Sequence, residues 1–222
     1  NKGRSLYNHG PARSSLGKKH PLIVAEGYMD VIALAQAGFS KAVAPLGTAI
    51  TESQLMLMWR IHSEPIIALD GDTAGLRAAY RLIDVALPLL EAGRALRFAI
   101  MPKGQDPDDL IRAGGAGAFQ ELLDQAIPMV ELMWRQATEG KVFDSPDRKS
   151  ALDKSLREKI RRIKEPSLRG YYENDIKTMR RAFFRPAPSQ RFGKNGAFGK
   201  PLMKPVSQRT KASALVLGDD FV

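Results

Sequence analysis

The chain has 222 residues, of which 34 are Lys or Arg and 24 are Asp or Glu, so its formal net charge is +10. Hydrophobic residues make up 44% of the sequence, which is enough for a sizeable core and excludes an intrinsically disordered chain. The absence of cysteine excludes disulfides and thiolate zinc sites, and no apolar run approaches the roughly 20 residues of a membrane span. Because the sequence begins at Asn1 rather than at a methionine, we expect a fragment of a longer protein.

Strands and helices alternate along residues 21–120. Four short apolar runs predict buried strands, at residues 22–25, 41–44, 65–69 and 96–100. Three segments with apolar residues at helical spacing lie between them, at residues 28–38, 51–59 and 74–91. Thr51 and Gln54 form a capping-box pattern at the start of the second of these helices. The alternation predicts βαβ units, and therefore an α/β domain with a parallel sheet flanked by helices.

Outside this α/β domain the sequence predicts helices and irregular segments without further strands. Four helices are predicted after it, at residues 118–126, 129–137, 147–163 and 167–184, with breaks at Pro and Gly. We interpret residues 121–184 as a small helical subdomain that follows the sheet. Residues 185–222 are rich in Pro, Gly, Ser, Lys and Arg and predict a flexible basic linker. Residues 1–20 carry five basic and no acidic residues and form a basic lead-in.

Acidic residues follow three of the four predicted strands, namely Glu26 and Asp30, Asp70 and Asp72, and Asp106, Asp108 and Asp109. Because the carboxyl ends of parallel strands meet at one edge of a sheet, we expect these side chains to converge. Converging carboxylates repel one another unless cations lie between them. Mg²⁺ takes oxygen ligands and shares them with phosphate, and two such ions can position the phosphates in a nucleotidyl transfer.

A second interpretation of these acids is purely structural. An Asp that follows a strand is typical of a helix N-cap or a turn. Asp108 is the residue most open to this interpretation, because Pro107 and Asp109 flank it in a pattern that starts helices. Capping explains any one of the clusters, whereas three clusters at successive strand ends favour a shared ligand.

Three motifs resemble the TOPRIM domain of bacterial DNA primases: Glu26-Gly27-Tyr28-Met29-Asp30, Asp70-Gly71-Asp72-Thr73-Ala74-Gly75 and Asp106-Pro107-Asp108. Two further stretches match as well, Leu46-Gly47-Thr48-Ala49 and Lys2-Gly3-Arg4-Ser5-Leu6-Tyr7-Asn8. The resemblance covers residues 1 to about 184. The remainder is similar to the tether in front of the helicase-binding domain, and residues 1–20 would be the lead-in from a truncated polymerase domain.

The resemblance implies a role for eight residues. Glu26 would be the general acid/base in phosphodiester formation. Asp70 and Asp72 would be the principal ligands of Mg²⁺, with Mn²⁺ as an alternative metal. Three aspartates would complete the metal cluster, namely Asp30, Asp106 and Asp108. Lys2 and Arg4 match the basic stretch that holds template or nucleotide beside the metals.

The family makes short RNA primers on single-stranded DNA at replication forks from NTPs, and works with the replicative helicase. The resemblance therefore implies a DNA-directed RNA polymerase that is monomeric, bacterial, cytoplasmic and associated with the nucleoid, with no membrane partner. Family members also have an N-terminal zinc-binding domain with cysteine ligands, a first half of the polymerase domain and a terminal helicase-docking domain. None of these matches the present sequence, so we expect zinc and the helicase contact only in missing domains, and an incomplete catalytic fragment.

Several alternatives stay open. Haloacid-dehalogenase-type phosphatases use a D-x-D-x-T motif, which would require threonine at the position of Ala74. Another TOPRIM phosphotransfer enzyme or nuclease, or a non-catalytic single-stranded DNA-binding module, would also suit the composition. The basic helix at residues 147–164 could contact phosphates or be a solvated face. Phe192 and Phe198 in the linker could stack on bases or belong to a simple tether.

Overall fold

The computed structural model describes residues 2–14, 21–47 and 49–185. The linker from residue 186 onward, with Phe192 and Phe198, lies outside the described residues, as does Thr48 of the Leu46–Ala49 stretch.

Six strands form one sheet in the order β1-β3-β2-β4-β5-β6. Its four central strands are parallel, and they are β2 (Ile23–Val24), β3 (Ala42–Pro45), β4 (Ile66–Leu69) and β5 (Arg97–Ile100). Val24 lies opposite Val43 on one side and Ile67 on the other, and Leu69 lies opposite Ile100. The predicted α/β class, a TOPRIM-type parallel sheet flanked by helices, is confirmed for this central part.

The two edge strands are additions that the sequence pattern did not predict. Strand β1 (Leu6–Tyr7) pairs antiparallel with β3, and β6 (Ile127–Pro128) pairs antiparallel with β5. Each has only two residues, which is too short to show an alternating pattern. As a result, part of the basic lead-in belongs to the sheet.

Eight α-helices connect and follow the strands in the described part of the chain: α1 (His9–Ser14), α2 (Tyr28–Gln36), α3 (Glu52–Ile61), α4 (Thr73–Ala86), α5 (Pro107–Asp124), α6 (Met129–Thr138), α7 (Pro146–Ile160) and α8 (Pro166–Phe183). Short 3₁₀ helices occur at Lys2–Arg4 and Leu87–Leu89. Helix α5 begins well before the predicted residue 118, because Asp106 caps it and Pro107 occupies its first turn. Gly115, with φ 71°, kinks it in the middle.

Two apolar layers cover the faces of the sheet. Ile23 and Ile66 point into the layer formed with α2 and α5, whereas their neighbours Val24 and Ile67 point into the opposite layer. That opposite layer also contains Met133 of α6 and buried residues of α3, α4, α7 and α8. Helices α6–α8 thus share a hydrophobic core with the sheet. No helix in the described residues is long and apolar enough to cross a membrane.

Candidate active site at the carboxyl edge of the sheet

Glu26 and Asp70 lie side by side at the carboxyl ends of β2 and β4, which are neighbours in the sheet. The backbone N–H of Asp70 lies close enough to the Glu26 carboxylate to lower the pKa of Glu26, although burial raises this pKa by more. A side chain at Gly75 would bring its Cβ within 3.1 Å of Glu26 Oε1 and 2.5 Å of the Asp70 carbonyl oxygen. The glycine of the Asp70–Gly75 motif therefore leaves room for the first turn of α4 to approach both acids.

Asp30 joins this edge from the first turn of α2 and is only 8% exposed. Its Oδ2 accepts a hydrogen bond of 3.0 Å from the Gly27 N–H, and the nearby backbone N–H of Asp108 also lowers the pKa of Asp30 slightly. The start of α2 therefore lies close to the start of α5. Burial, and then the charges of Asp106 and Asp108, raise the pKa of Asp30 above its ordinary value of 3.8.

Carboxylates of all three acidic clusters influence the pKa of Asp70. Burial is the largest cause that raises the pKa of Asp70 from 3.8 to about 7. The negative charges of Glu26, Asp30, Asp106 and Asp72 raise it further, in that order. Carboxylates from the ends of three different strands therefore lie within electrostatic reach of one side chain, as their positions in the sequence predicted.

Capping accounts for part of this arrangement but not for all of it. Asp72 Oδ1 accepts hydrogen bonds from the N–H groups of Ala74 (2.8 Å) and Gly75 (2.7 Å) at the start of α4. Asp106 Oδ1 caps α5 through the Asp109 N–H at 2.7 Å, and Asp108 forms an ion pair with Arg112. A carboxylate has two oxygens, so the second oxygens of Asp72 and Asp106 take no part in these caps.

Three buried oxygens in the described residues have no hydrogen-bond partner: Glu26 Oε1, Asp70 Oδ1 and Gln105 Oε1. Buried acceptors without a donor are costly, and a bound cation would satisfy them. The oxygen donors of this edge therefore suit a hard divalent cation such as Mg²⁺. Within the described ranges, no three His, Asp or Glu side chains are close enough together to hold a metal ion in their present positions. A complete coordination shell would therefore require some of these side chains to rotate.

Gln105 and Arg81 are two residues of this edge that the sequence did not single out. Gln105 precedes Asp106, and its uncharged side chain matches no metal-ligand pattern. Arg81 lies in the third turn of α4, and its positive charge lowers the pKa of Glu26, against the larger upward effect of burial. Arg81 and Glu26 both line a cavity of about 270 Å³ between α4 and the loop that contains Gly47 and Ala49.

Lys2 and Arg4 occupy the 3₁₀ helix that precedes β1, and both side chains are exposed. This segment is held against the start of α3, where Gln54 Nε2 donates to the Lys2 and Ser5 carbonyls at 3.1 and 2.9 Å. Thr51 Oγ1 donates to the Gly3 carbonyl at 2.6 Å. Arg4 faces a surface hollow formed with α3. The two basic side chains are thus anchored by their backbone, while their roles stay a prediction.

Comparisons with known proteins show which proteins this chain resembles. Residues 23–111 match the Toprim-like family. The DNA primase of Rickettsia felis is 43% identical over 171 residues, which are 77% of this chain and 29% of that protein. The DNA primase of Escherichia coli is 37% identical over 175 residues, which are 79% of this chain and 30% of that protein. The chain spans about 30% of the length of the curated relatives that it matches.

Solved structures give the same result. A DnaG catalytic core matches with a TM-score of 0.75 and 36% identity, over 80% of this chain and 57% of that one. A DNA primase domain from Pseudomonas aeruginosa matches with a TM-score of 0.75 and 35% identity, over 81% and 56% of the two chains. A DnaG primase catalytic domain bound to single-stranded DNA matches with a TM-score of 0.74 and 36% identity, over 80% and 57%.

Proposed function

We propose that this chain, whose sequence and fold match the TOPRIM-containing part of the bacterial DNA primases, is the metal-binding catalytic part of such an enzyme. The activity would be DNA-directed RNA polymerisation, in which short primers are made on single-stranded DNA. The observation that carries the proposal is that Glu26 and Asp70, which follow neighbouring strands of the sheet, each keep a buried carboxylate oxygen without a hydrogen-bond partner. The matched segments are less than a third of the relatives' length, so the whole enzyme would need further domains.

The chemistry would use the acids of this edge in two ways. Asp70 and Asp72 would be the principal ligands of Mg²⁺ or Mn²⁺, with Asp30, Asp106 and Asp108 around them, and the metal would supply charge neutralisation at the phosphates. In the reaction a ribose 3′-oxygen bonds to the α-phosphorus of an NTP as the bond to the pyrophosphate oxygen breaks. Glu26 would accept the proton that the hydroxyl releases, a role helped by burial, which raises its pKa.

The substrates and partners follow from the same proposal. Single-stranded DNA would be the template and NTPs the substrates, with Lys2 and Arg4 neutralising phosphate beside the acidic edge. The replicative helicase would be bound by a C-terminal domain, and zinc by an N-terminal domain, both outside this sequence. The protein would act as a monomer in the bacterial cytoplasm, at the nucleoid.

Metal binding is the first test. We expect Mg²⁺ or Mn²⁺ to give a binding isotherm with the 222-residue chain in isothermal titration calorimetry, with and without NTP. The double variant Asp70→Asn/Asp72→Asn should weaken binding at least about tenfold, because both principal ligands lose their charge. The matched control is Asp144→Asn/Asp147→Asn at the start of α7, which changes the net charge equally. Equal binding by the two double variants would contradict the metal site.

Primer synthesis is the second test, and it addresses Glu26 directly. Residues 1–185 would replace the matching segment of the Escherichia coli DNA primase, and extension of RNA on a single-stranded template would be measured. We expect Glu26→Gln to lower the rate by roughly 10²- to 10⁴-fold, as removal of a general base does. Metal binding should persist in this variant. Undiminished synthesis would remove Glu26 from its proposed role.

A non-catalytic single-stranded DNA-binding module is the second candidate. It is favoured by the caps that Asp72 and Asp106 form and by the Asp108–Arg112 ion pair, which give these acids a structural use. This alternative expects DNA binding that neither Mg²⁺ nor Asp70→Asn changes, and no primer synthesis by the chimera. Cleavage of the template by the chimera would instead indicate another TOPRIM enzyme, a nuclease.

A further inference from the structure

A basic groove lies between α7 and α8, and none of its lining residues belongs to the acidic edge. It consists of two adjoining hollows of about 390 and 470 Å³, which share Asp153, Arg157 and Arg180. We call it the α7–α8 groove. Six basic residues line it: Lys149, Lys154, Arg157, Arg161, Lys177 and Arg180. Only two acids line it, Asp153 and Glu173.

Most of these basic side chains have no charged partner. Arg180 is paired with Asp153 at 2.6 Å. In the part of the chain that the structure describes, Lys154, Arg157, Arg161 and Lys177 form no ion pair or side-chain hydrogen bond. Other cations of α7 and its C-terminal end behave differently, since Lys159 and Arg162 bind Asp84 of α4 at 3.2 and 2.9 Å. The cations that secure the helix to the sheet domain are thus distinct from those left in the groove.

The helices that form the groove are held in place by buried residues and aromatic contacts. Leu156, Ile160 and Ile176 form its apolar floor and are 2%, 3% and 7% exposed, so the two helices that carry the cations are held by the core. At one end the aromatic ring of Phe184 lies under two cations, with Lys149 Nζ 5.3 Å and the Arg180 guanidinium carbon 5.4 Å from its centroid. Cation–π contacts of this kind attract both cations to the ring face.

The dimensions of the groove match an extended polyanion rather than a single small anion. Lys149 and Arg161 lie 12 positions apart, and at 1.5 Å per residue this places them about 18 Å apart along the helix axis. Arg157 and Arg161 are one turn apart, about 6 Å. A track with repeated, unpaired cations neutralises successive phosphates and releases counterions, which is the main source of nucleic-acid affinity.

We propose that the α7–α8 groove is a nucleic-acid-binding surface that holds the phosphate backbone of a single strand, in addition to any contact at the acidic edge. The binding needs no divalent metal and no carboxylate of the sheet edge. The proposed groove can therefore be tested independently of the proposed polymerase function.

The test is fluorescence anisotropy with a labelled single-stranded DNA oligonucleotide and the 222-residue chain, in EDTA and over a series of KCl concentrations. We expect the triple variant Arg157→Gln/Arg161→Gln/Lys177→Gln to bind about tenfold or more weakly at low salt. The slope of log K against log[KCl] should fall by about 2, since each lost phosphate contact on a single strand contributes about 0.7. All three side chains are exposed, so the thermal midpoint should not change.

The matched control is Arg13→Gln/Lys141→Gln/Lys164→Gln, which removes three exposed cations outside the groove. It should keep the affinity and the salt slope of the unchanged chain. If both triple variants weaken binding equally, net charge alone is responsible and the proposal is wrong. If the triple groove variant does not fold, Lys177→Gln alone replaces it. The slope of log K against log[KCl] should then fall by about a third as much.

Two further measurements distinguish the groove from a DNA site at the acidic edge and from a protein-binding surface. Asp70→Asn/Asp72→Asn should bind the oligonucleotide as well as the unchanged chain in EDTA. Tighter binding by that variant, because its carboxylates no longer repel phosphate, with retention of binding in the groove variant, would place the DNA at the acidic edge and overturn the groove. Polyglutamate of matched charge should displace the oligonucleotide poorly, and equal displacement would identify the groove as a surface for acidic proteins instead.

Discussion

Asp70 suits the proposed chemistry but destabilises the fold when no cation is bound. It is partly buried among four other carboxylates, and its pKa rises from 3.8 to about 7. An acid whose pKa is higher in the folded than in the unfolded chain binds more protons when folded. Its contribution to stability is therefore present below the unfolded value near 3.8 and is lost as the pH rises through about 7. In the absence of a cation, the acidic edge destabilises the fold at neutral pH.

This conflict makes a prediction for Asp70→Asn in EDTA. At pH 8 we expect the variant to be more stable than the unchanged chain by about 1 kcal/mol, a figure reduced to allow for solvent screening, because repulsion is removed. This corresponds to a thermal midpoint about 2–4 °C higher for a domain of this size. At pH 5.5 the difference should shrink. Thermal unfolding followed by circular dichroism at both pH values provides the measurement.

Asp144→Asn is the control, because that carboxylate is 63% exposed and lies at the surface before α7. It should show no comparable rise at pH 8. The prediction is contradicted if Asp70→Asn has a lower thermal unfolding midpoint than the unchanged chain at pH 8. The fold would then stabilise the Asp70 carboxylate despite the other acids around it.

At the scale of the elements, one close approach brings the acidic clusters together. The turn after β4 docks on the loop after β5, where the Gly71 N–H donates to the Gln105 carbonyl at 2.9 Å and the Gly104 N–H donates to the Gly71 carbonyl at 3.0 Å. A Cβ at Gly71 would lie 1.9 Å from the Pro102 carbonyl oxygen. The glycine between Asp70 and Asp72 is thus required for contact between two elements.

Gly71→Ala should therefore separate these two elements. We expect destabilisation of about 3 kcal/mol or more, measured by urea unfolding, because backbone atoms must move to admit the methyl group. Gly170→Ala is the matched control, since Gly170 lies inside α8 with no atom near the added Cβ. That change should stabilise the chain by about 0.5–1 kcal/mol through helix propensity. Tolerance of alanine at residue 71 would show that the two loops are not in contact.

The elements also show where local pattern is sufficient. The Thr51–Gln54 capping box forms as predicted, with Thr51 Oγ1 accepting from the Gln54 N–H at 3.2 Å and Gln54 Oε1 accepting from the Thr51 N–H at 3.0 Å. Both hydrogen bonds join residues three positions apart, so the local sequence is sufficient to predict this motif. Local pattern is weaker for α5. Pro107 and Asp109 are typical of a helix start, but three glycines, at residues 114, 115 and 117, lower helix propensity across its middle, so the pattern predicts a helix only from residue 118.

For the whole molecule, the division into an α/β domain at residues 21–120 and a helical subdomain at residues 121–184 stays a prediction. The two segments share one hydrophobic layer, in which Phe98 of β5 and Leu69 of β4 belong to the same cluster as Met133 and Leu156. Asp84 adds polar contacts from α4 to the C-terminal end of α7. Shared packing of this kind explains how α7 and α8 can present the basic groove as part of one compact body.

The sequence by itself determined the parallel central strands, their flanking helices and the acids at the strand ends. Local periodicity shows which segments are buried, and helices alternating with strands require parallel pairing. Only the tertiary structure decided which carboxylate oxygens cap helices and which, as in Glu26 and Asp70, stay buried without a donor. It also decided that Gln105 and Arg81 belong to the same edge, and that basic residues of α7 and α8 face one groove from two helices. These features depend on contacts between residues far apart in the chain, which no local pattern records.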